Sequence, residues 1–344
     1  MQLALIINIL SDVMKMGGRK AKYQVTDQIK RNIKELHGKE NIKKFKFVED
    51  PLVIQSLSDY TNIQIDTNWP AATNCTAVSQ INVESIKDTA DCCIVGIVQI
   101  SDTKLLCADF ANKCLKVTNV ETNTITSRRQ LTYPPYDITL LHESRVAVTL
   151  PGTNKIHLYT TDGGIDQCGS IAVDGACWGI HWTGNKLLVS YALPVPKVQI
   201  MDLVGRVLKT IQQDTSGAAL FEEPRFITYS PNNHHIYVSD LDRNTVTCIT
   251  AEGEVQWTYK GQDLKYPLGL MTGDSGSVYV CSRNNDSIHV ISAGGEKLAV
   301  ISKAQSTVIG PCAVHYCLHS RTLYVSSASV SPDQCNNIRR LTLE

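Results

Sequence analysis

The most metal-like run in the sequence is Cys312-Ala-Val-His315-Tyr-Cys317-Leu-His319. Cysteine and histidine are the side chains with which proteins enclose zinc, which takes four such ligands in a tetrahedron. The run is typical of a β-strand, however, in which residues two apart on one face are separated by about 7 Å. That distance is too long for these side chains to share one ion without a bend. The run therefore predicts an ordinary strand and no metal site.

Motifs for other catalytic chemistry are absent from the sequence. It contains no G-x-S-x-G nucleophile motif, no Walker A phosphate loop and no G-x-G-x-x-G dinucleotide motif. We therefore expect no enzymatic activity and no bound cofactor.

A second group of residues has the types that anchor protein interfaces, in which aromatic and arginine side chains contribute most of the binding energy. Tyr136, Trp178 and Arg225 each occur at the start of a short apolar segment. Turns further along add three basic residues, Lys155, Arg243 and Arg283. We predict that these six residues form a partner-binding face. The alternative for Tyr136 and Trp178 is that they only fill the interior of the fold.

The elements that would position these residues come from an internal repeat. Apolar triplets recur, each followed by a polar turn and a second apolar run. Their central residues are Cys107, Val148, Val189, Val238, Val280 and Val325, with spacings of 41, 41, 49, 42 and 45. Another short strand precedes each triplet, and a fourth strand follows a glycine-centred turn in most units. Four strands in about 42 residues is the length of a β-propeller blade, so the sequence predicts an all-β protein with six blades.

The ends of the repeat region indicate how the ring would close. The last unit stops at Leu343-Glu344, directly after its third strand, whereas the segment CTAVSQINV (75–83) is a strand without a blade. We expect this segment to supply the outer strand of blade six, because that pairing removes an exposed sheet edge. The propeller would then span residues 75–344.

Some propellers, such as lactonases, are enzymes that hold one Ca²⁺ in the central channel with carboxylate and amide oxygens from several inner strands. The inner strands here offer Asp137, followed by Trp178, Arg225, Leu268 and Cys312. Only one of these is a ligand for a hard cation. The sequence therefore favours a binding platform over an enzyme.

The N-terminal region, residues 1–46, has a helical pattern. Val25, Ile29, Ile33 and Leu36 form one apolar stripe on an otherwise charged segment. A narrow stripe of this kind usually pairs with another helix in a coiled coil, through which the chain would form a homo-oligomer. Docking of the helix on the propeller is the alternative. Residues 47–74 are interpreted as a linker.

Charge is distributed unevenly along the chain. Residues 1–50 contain 11 Lys and Arg against six Asp and Glu, and the whole chain is neutral, so the remainder has a net charge of −5. The propeller therefore has no general attraction to polyanions. The apolar start lacks the basic residues and cleavage site of a signal peptide, and no stretch reaches the length of a membrane span.

All twelve cysteines lie beyond residue 74, and many of them occur inside apolar runs. No two of them have C-x-x-C spacing. We expect buried free thiols that behave as small apolar side chains, and a reducing, cytoplasmic location.

The order of helix, linker and propeller resembles the C-terminal half of a tripartite-motif (TRIM) protein of the NHL type. The resemblance covers residues 20–344 and rests on two segments, EPRFITYSPNNHHIYVSDLDRNTVTCI (223–249) and KKFKFVEDP (43–51). The NHL aspartate is retained at Asp109 and Asp240. Such relatives are ubiquitin ligases through an N-terminal RING, which needs clustered cysteine and histidine ligands. Before residue 75 this chain has no cysteine and only His37. The resemblance therefore implies substrate or partner recognition, not ligase activity in this chain.

Two functions remain open from the sequence. The first is a non-catalytic module that binds a protein partner on one propeller face. The second is RNA binding, which some NHL propellers perform with Arg, Lys and aromatic side chains. The net charge of −5 favours the first, whereas a local patch of Arg225, Arg243 and Arg283 would favour the second.

Overall fold

The repeat units fold into six separate four-stranded antiparallel sheets, and the predicted six-bladed all-β propeller is confirmed. The computed structural model describes residues 75–142, 144–273, 276–318, 320–329 and 331–343. The predicted helical segment 1–46 and linker 47–74 lie outside these residues. Within the described ranges, no helix has the length and apolar character needed to cross a membrane.

Strand β1 (Cys75–Asn82) comes first in the chain, before the strands of blade 1. Blade 1 contains β2 (Ile94–Ser101), β3 (Lys104–Asp109), β4 (Cys114–Asn119) and β5 (Thr124–Gln130). Blade 2 contains β6 (Ile138–Leu140), β7 (Arg145–Leu150), β8 (Lys155–Thr160) and β9 (Asp166–Ala172). Blade 3 contains β10 (Ala176–Trp182), β11 (Leu187–Leu193), β12 (Lys197–Met201) and β13 (Val207–Ile211).

The other three blades follow the same pattern. Blade 4 contains β14 (Pro224–Ser230), β15 (His235–Asp240), β16 (Thr245–Ile249) and β17 (Val255–Tyr259). Blade 5 contains β18 (Pro267–Thr272), β19 (Val278–Ser282), β20 (Ser287–Ile291) and β21 (Lys297–Ser302). Blade 6 contains β22 (Pro311–Cys317), β23 (Thr322–Ser327), β24 (Asn337–Leu343) and β1. Two single-turn helices, α1 (Lys303–Ser306) and α2 (Pro332–Cys335), lie between strands of the last two blades.

The innermost strand of each blade contacts the innermost strand of the next, and β22 returns to β2. The second strand of every blade is buried along nearly its whole length, as in KLLCAD and RVAVTL, because both of its faces pack against neighbouring blades. Outer strands such as β13 and β17 are mostly exposed. This gradient of burial explains why the apolar triplets are the clearest signal of the repeat.

Hydroxyl groups on the second strands bridge neighbouring blades. The Ser190 hydroxyl accepts a hydrogen bond from the Gly179 N–H at 2.9 Å and donates one to the Arg225 carbonyl of blade 4 at 3.2 Å. The same bridges are made by Thr149 to the Trp178 carbonyl and by Ser326 to the Ile94 carbonyl. Each bridge satisfies buried backbone groups that no strand ladder reaches.

Three innermost strands approach the next blade closely at a glycine. A Cβ on Gly179 would lie 2.7 Å from the Phe226 Cα, and one on Gly269 would lie 2.6 Å from the Cys312 carbonyl oxygen. Gly96 occupies the same repeat position in blade 1, with the Tyr136 carbonyl oxygen 3.0 Å away. Close packing between blades therefore selects the small residue here.

Strand β1 lies beside β24 and completes blade 6. The two strands pair in antiparallel register from Cys75 with Leu343 to Asn82 with Asn337. A bulge between Ala77 and Ser79 interrupts the register. Blade 6 therefore combines the two ends of the described chain, and its outer edge belongs to a strand that continues directly into blade 1.

A buried ion-pair network anchors the connection from β1 to β2. Lys116 on β4 is fully buried, and its Nζ lies 2.7 Å from Asp109 Oδ2 and 2.5 Å from Asp88 Oδ2. It also donates to the Val83 carbonyl at 2.8 Å. Burial alone would lower the pKa of Lys116, but the two carboxylates outweigh it and raise the pKa. Because Asp88 and Val83 belong to the connection, this network joins blade 6 to blade 1.

All twelve cysteines are free, and ten of them are buried. The expectation of buried free thiols is therefore confirmed, with Cys168 as the exposed exception.

Replacing Lys116 with Met would leave the Asp88 and Asp109 carboxylates buried without their cation. We expect a loss of about 3–5 kcal/mol in the free energy of unfolding, measured by urea denaturation at pH 7. Lys209→Met, on the exposed strand β13, should change it by less than about 0.5 kcal/mol. A combined Lys116→Met, Asp88→Asn and Asp109→Asn variant should recover part of the loss. Equal effects of the two single substitutions would contradict the anchoring role.

Candidate functional site

The front face of the ring is defined here as the face at which the innermost strands begin. Pro224, at the start of β14, pairs with Asp240 at the end of β15, so the turn between the second and third strands lies on the same face. The same register joins Ala176 to Leu193 in blade 3. The six predicted partner-binding residues therefore share the front face: Tyr136, Trp178 and Arg225 at strand starts, and Lys155, Arg243 and Arg283 in turns.

Three of these residues form one cluster at the front of the channel. The rings of Tyr136 and Trp178 pack edge-to-face with centroids 4.7 Å apart, and Phe226 packs against Tyr136 at 5.1 Å. The Arg225 guanidinium carbon lies 3.8 Å from the centroid of the Trp178 ring and forms an ion pair with Glu223. Cation–π and aromatic contacts of this kind each contribute about 0.5–2 kcal/mol. These contacts hold the four side chains against one another.

Burial differs among the clustered side chains. Tyr136 is only 8% exposed, so it fills the mouth of the channel, and burial raises its pKa well above the ordinary value. Trp178 and Arg225 are partly exposed. The Arg225 guanidinium lies over the Trp178 ring, whereas the Tyr136 ring packs edge-to-face against it and is buried.

The other three predicted residues lie apart from this cluster. Arg243 donates to the carbonyl oxygens of Leu220 and Ala219, both at 2.8 Å, and so clamps the loop before β14. Arg283 lies over the Tyr266 ring at 5.6 Å and donates to the Ala328 carbonyl at 3.3 Å. Lys155 is exposed in the turn of blade 2.

Several exposed apolar side chains on the same face were not predicted from the sequence. Phe110, 39% exposed in the β3–β4 turn, lies 6.4 Å from Tyr136 by ring centroids. Tyr133 is 46% exposed before β6. Leu193 is 66% exposed at the end of β11, and Val195 is 49% exposed in the β11–β12 turn. Their signal in the sequence is a large apolar residue where turns normally carry polar ones. Together they place apolar surface on blades 1, 2 and 3 of the front face.

The central channel contains a cavity of about 210 Å³. The strand registers place two rings of residues around it. The first ring is Gly96, Asp137, Gly179, Phe226, Gly269 and Ala313, and the second, two residues further along each strand, is Val98, Thr139, His181, Thr228, Met271 and His315.

This register corrects the set of channel positions taken from the sequence. Leu268 and Cys312 are buried in the core between blades, one residue before the channel-lining position. Only Asp137 was assigned to the channel correctly. Side chains two residues apart along a strand point to the same face, so Thr139 lines the channel together with Asp137.

The Asp137 carboxylate faces the channel with backbone partners only. Its Oδ1 accepts from the Ile138 N–H at 2.8 Å, and its Oδ2 accepts from the Ile180 N–H of blade 3 at 2.9 Å. Burial raises the pKa of Asp137 to about 7, although both hydrogen bonds oppose this change. Burial likewise lowers the pKa of His181 and of His315 to about 4, so both imidazoles are neutral at pH 7.

The metal-like run of the sequence is divided among different environments. Cys312 packs in the main core, Cys317 packs in a separate cluster with Tyr324, and His315 lines the channel. His319 lies outside the described residues. A different triad, Asp88, Cys92 and Asp109, has ligand atoms within 4.8 Å of one another. The Lys116 ammonium bonds to all three groups, which makes the triad an ion-pair network.

Comparison with known proteins shows structural neighbours only. No protein-family model matches the chain, and no curated protein sequence matches it. A catalytically inactive virginiamycin B lyase from Staphylococcus aureus, with quinupristin, is 15% identical with a TM-score of 0.55, covering 77% of this chain and 99% of its own. A streptogramin B lyase is 14% identical with a TM-score of 0.57 over 77% and 97%. The WD40 β-propeller domain of Doa1 is 12% identical with a TM-score of 0.56 over 78% and 97%.

These likenesses establish the propeller fold. The neighbours include lyases and a WD40 domain, and a fold does not by itself specify a function.

Asp137→Asn tests the charge state of the channel carboxyl. The pKa of Asp137 rises from the ordinary 3.8 to about 7 on folding, so the folded protein binds more protons between these values. The unfolding free energy of the wild type should therefore decrease as the pH rises from about 4 to about 7. The Asn variant has no carboxyl group at this position and should not show this decrease. We expect the gain in unfolding free energy from Asp137→Asn to be larger at pH 8 than at pH 5 by urea denaturation. The exposed Asp166→Asn control should show no such increase, and a pH-independent gain for Asp137→Asn would contradict the raised pKa.

Proposed function

We propose that the chain is a protein-interaction platform that binds a protein partner on its front face and performs no chemistry of its own. The observation that carries this proposal is the packed cluster of Trp178, Arg225 and Tyr136, flanked by exposed apolar side chains on adjacent blades. Aromatic and arginine anchors surrounded by apolar surface are the usual composition of an interface centre.

The order within the cluster favours tight binding. The Arg225 side chain is already fixed between the Trp178 ring and Glu223, and Trp178 rests on Tyr136. A partner would lose little side-chain entropy by docking here, because the conformation is set in advance. Phe110 extends the same cluster toward blade 1 with a side chain that solvent reaches.

Charge on the front face supports a protein partner over RNA. The guanidinium of Arg225 faces Glu223, and that of Arg243 lies 4.0 Å from Glu222. Binding to a phosphate backbone depends on cations that can release counterions from it. Arginines already neutralised by carboxylates, in a chain whose residues 51–344 have a net charge of −5, contribute less to such binding.

The resemblance to TRIM proteins of the NHL type extends the proposal. Asp240 accepts hydrogen bonds from the Glu222, Glu223 and Arg243 N–H groups, and Asp109 accepts from the Cys93 and Asn112 N–H groups. Both motif aspartates thus hold front-face loops in place, which supports a shared blade design. On this basis we propose partner or substrate recognition in a ubiquitin pathway of the cytoplasm. Homo-oligomerisation through the stripe at 25–36 belongs to the same proposal.

A capture experiment with the immobilised full chain tests the binding face. A protein captured by the wild type should bind at least tenfold more weakly, by measured Kd, to Trp178→Ala and to Phe110→Ser. Val204→Ser removes an exposed apolar side chain from the opposite face, where Val204 is 87% exposed, and should leave the Kd unchanged.

Two results would overturn the proposal. One is equal affinity of the wild type and both front-face variants for every captured protein. The other is RNA binding with a steep salt dependence that Arg225→Glu abolishes, which would establish the RNA-binding alternative.

A further inference from the structure

At one position of the repeat, blade 2 carries a charged residue where the other blades carry apolar or small ones. The first ring around the channel holds glycine in three blades, alanine in blade 6 and Phe226 in blade 4, whereas blade 2 holds Asp137. Glycine satisfies the close packing between blades at Gly96, Gly179 and Gly269. Packing therefore does not require a carboxylate at this position.

The environment of Asp137 leaves its charge without a partner. Each carboxylate oxygen accepts a single backbone hydrogen bond, although each has two acceptor sites. No Lys or Arg is among the described residues that line the cavity. Asp137 is only partly exposed, and a carboxylate that loses part of its hydration in this way is costly unless a cation accompanies it.

The remaining walls of the cavity suit an organic cation. Phe226 and Trp182 provide aromatic surface, which attracts ammonium groups. His181 and His315 are neutral at pH 7 and add no competing positive charge. The volume of about 210 Å³ equals roughly seven water molecules, which excludes a folded peptide and admits a small molecule.

We propose that the central channel binds a small organic amine, whose ammonium group pairs with the Asp137 carboxylate and whose carbon chain contacts Phe226 and Trp182. This site goes beyond the proposed front-face function, because Tyr136 and Trp178 do not line the cavity. An anionic ligand would face an uncompensated carboxylate. A neutral ligand would leave the charge of Asp137 unpaired.

Binding of an amine at Asp137 releases protons near neutral pH. In the free protein the carboxyl has a pKa of about 7, and an adjacent ammonium lowers that pKa, so protons leave as the amine enters. Among the described residues that line the cavity, the other titratable groups are His181 and His315, which are already neutral at this pH. Arg225 lies over Tyr136 on the front face and does not line the cavity.

The probe for this site is n-butylammonium, with n-butanol as its neutral match, each titrated into the full chain. Saturation-transfer NMR should give a Kd for butylammonium at least tenfold below that for butanol. Calorimetry at pH 7 in two buffers of different ionisation enthalpy should show net proton release. Asp137→Asn should abolish both the charge preference and the proton release.

Two further variants separate binding from folding. Asp137→Gly reproduces the residue of three other blades, so it should fold and also lose the preference for the cation. Asp166→Asn, on the exposed outer strand β9, should retain the preference. Equal affinity for butylammonium and butanol, or persistence of the preference in Asp137→Asn, would overturn the proposal. Displacement of butylammonium by equimolar K⁺ would also overturn it, because the site would then take an inorganic cation.

Discussion

The structure depends on one buried contact network, the Lys116 ammonium held between Asp109 and Asp88. A propeller ring is stable only if its first and last blades are joined, because each blade is covered by its neighbours. β1 belongs to blade 6 and continues into blade 1, and Lys116 fixes the connection between them through Asp88 and Val83. A buried ion pair contributes little net stability but is costly to break, so it specifies this connection more than it stabilises it.

The contacts between neighbouring blades use the same residue types at the same repeat positions, which makes the positions that differ easy to recognise. Glycines and hydroxyl residues at fixed repeat positions let adjacent blades approach and satisfy each other's backbone groups, as Gly179 and Ser190 do. Where a blade departs from this pattern, the close approach of neighbouring blades does not explain the residue. Asp137 and Phe226 are such departures, and both line the channel. Sites that break a local rule are where function is expected in a fold of this kind.

The front face and the channel have different chemistry and share one wall. The front face combines an indole, a guanidinium and exposed apolar side chains, whereas the channel contains one carboxylate among neutral groups. Phe226 belongs to both, because its ring packs on Tyr136 and also lines the cavity. The aromatic cluster therefore separates a surface suited to a large partner from a cavity suited to a small one.

The sequence alone determined the number of blades and the strands of each, because the apolar triplets at Cys107, Val148 and their equivalents repeat with the burial of the second strand. It also determined that Tyr136, Trp178 and Arg225 lie on one face, since they occupy the same repeat position. Tertiary structure decided the rest. Side chains along a strand alternate between its two faces, so a shift of one residue decides which of them line the channel. Leu268 lies one residue before the lining position and therefore packs in the core between blades. Contacts between distant segments, such as Asp88 with Lys116, have no local signature in the chain.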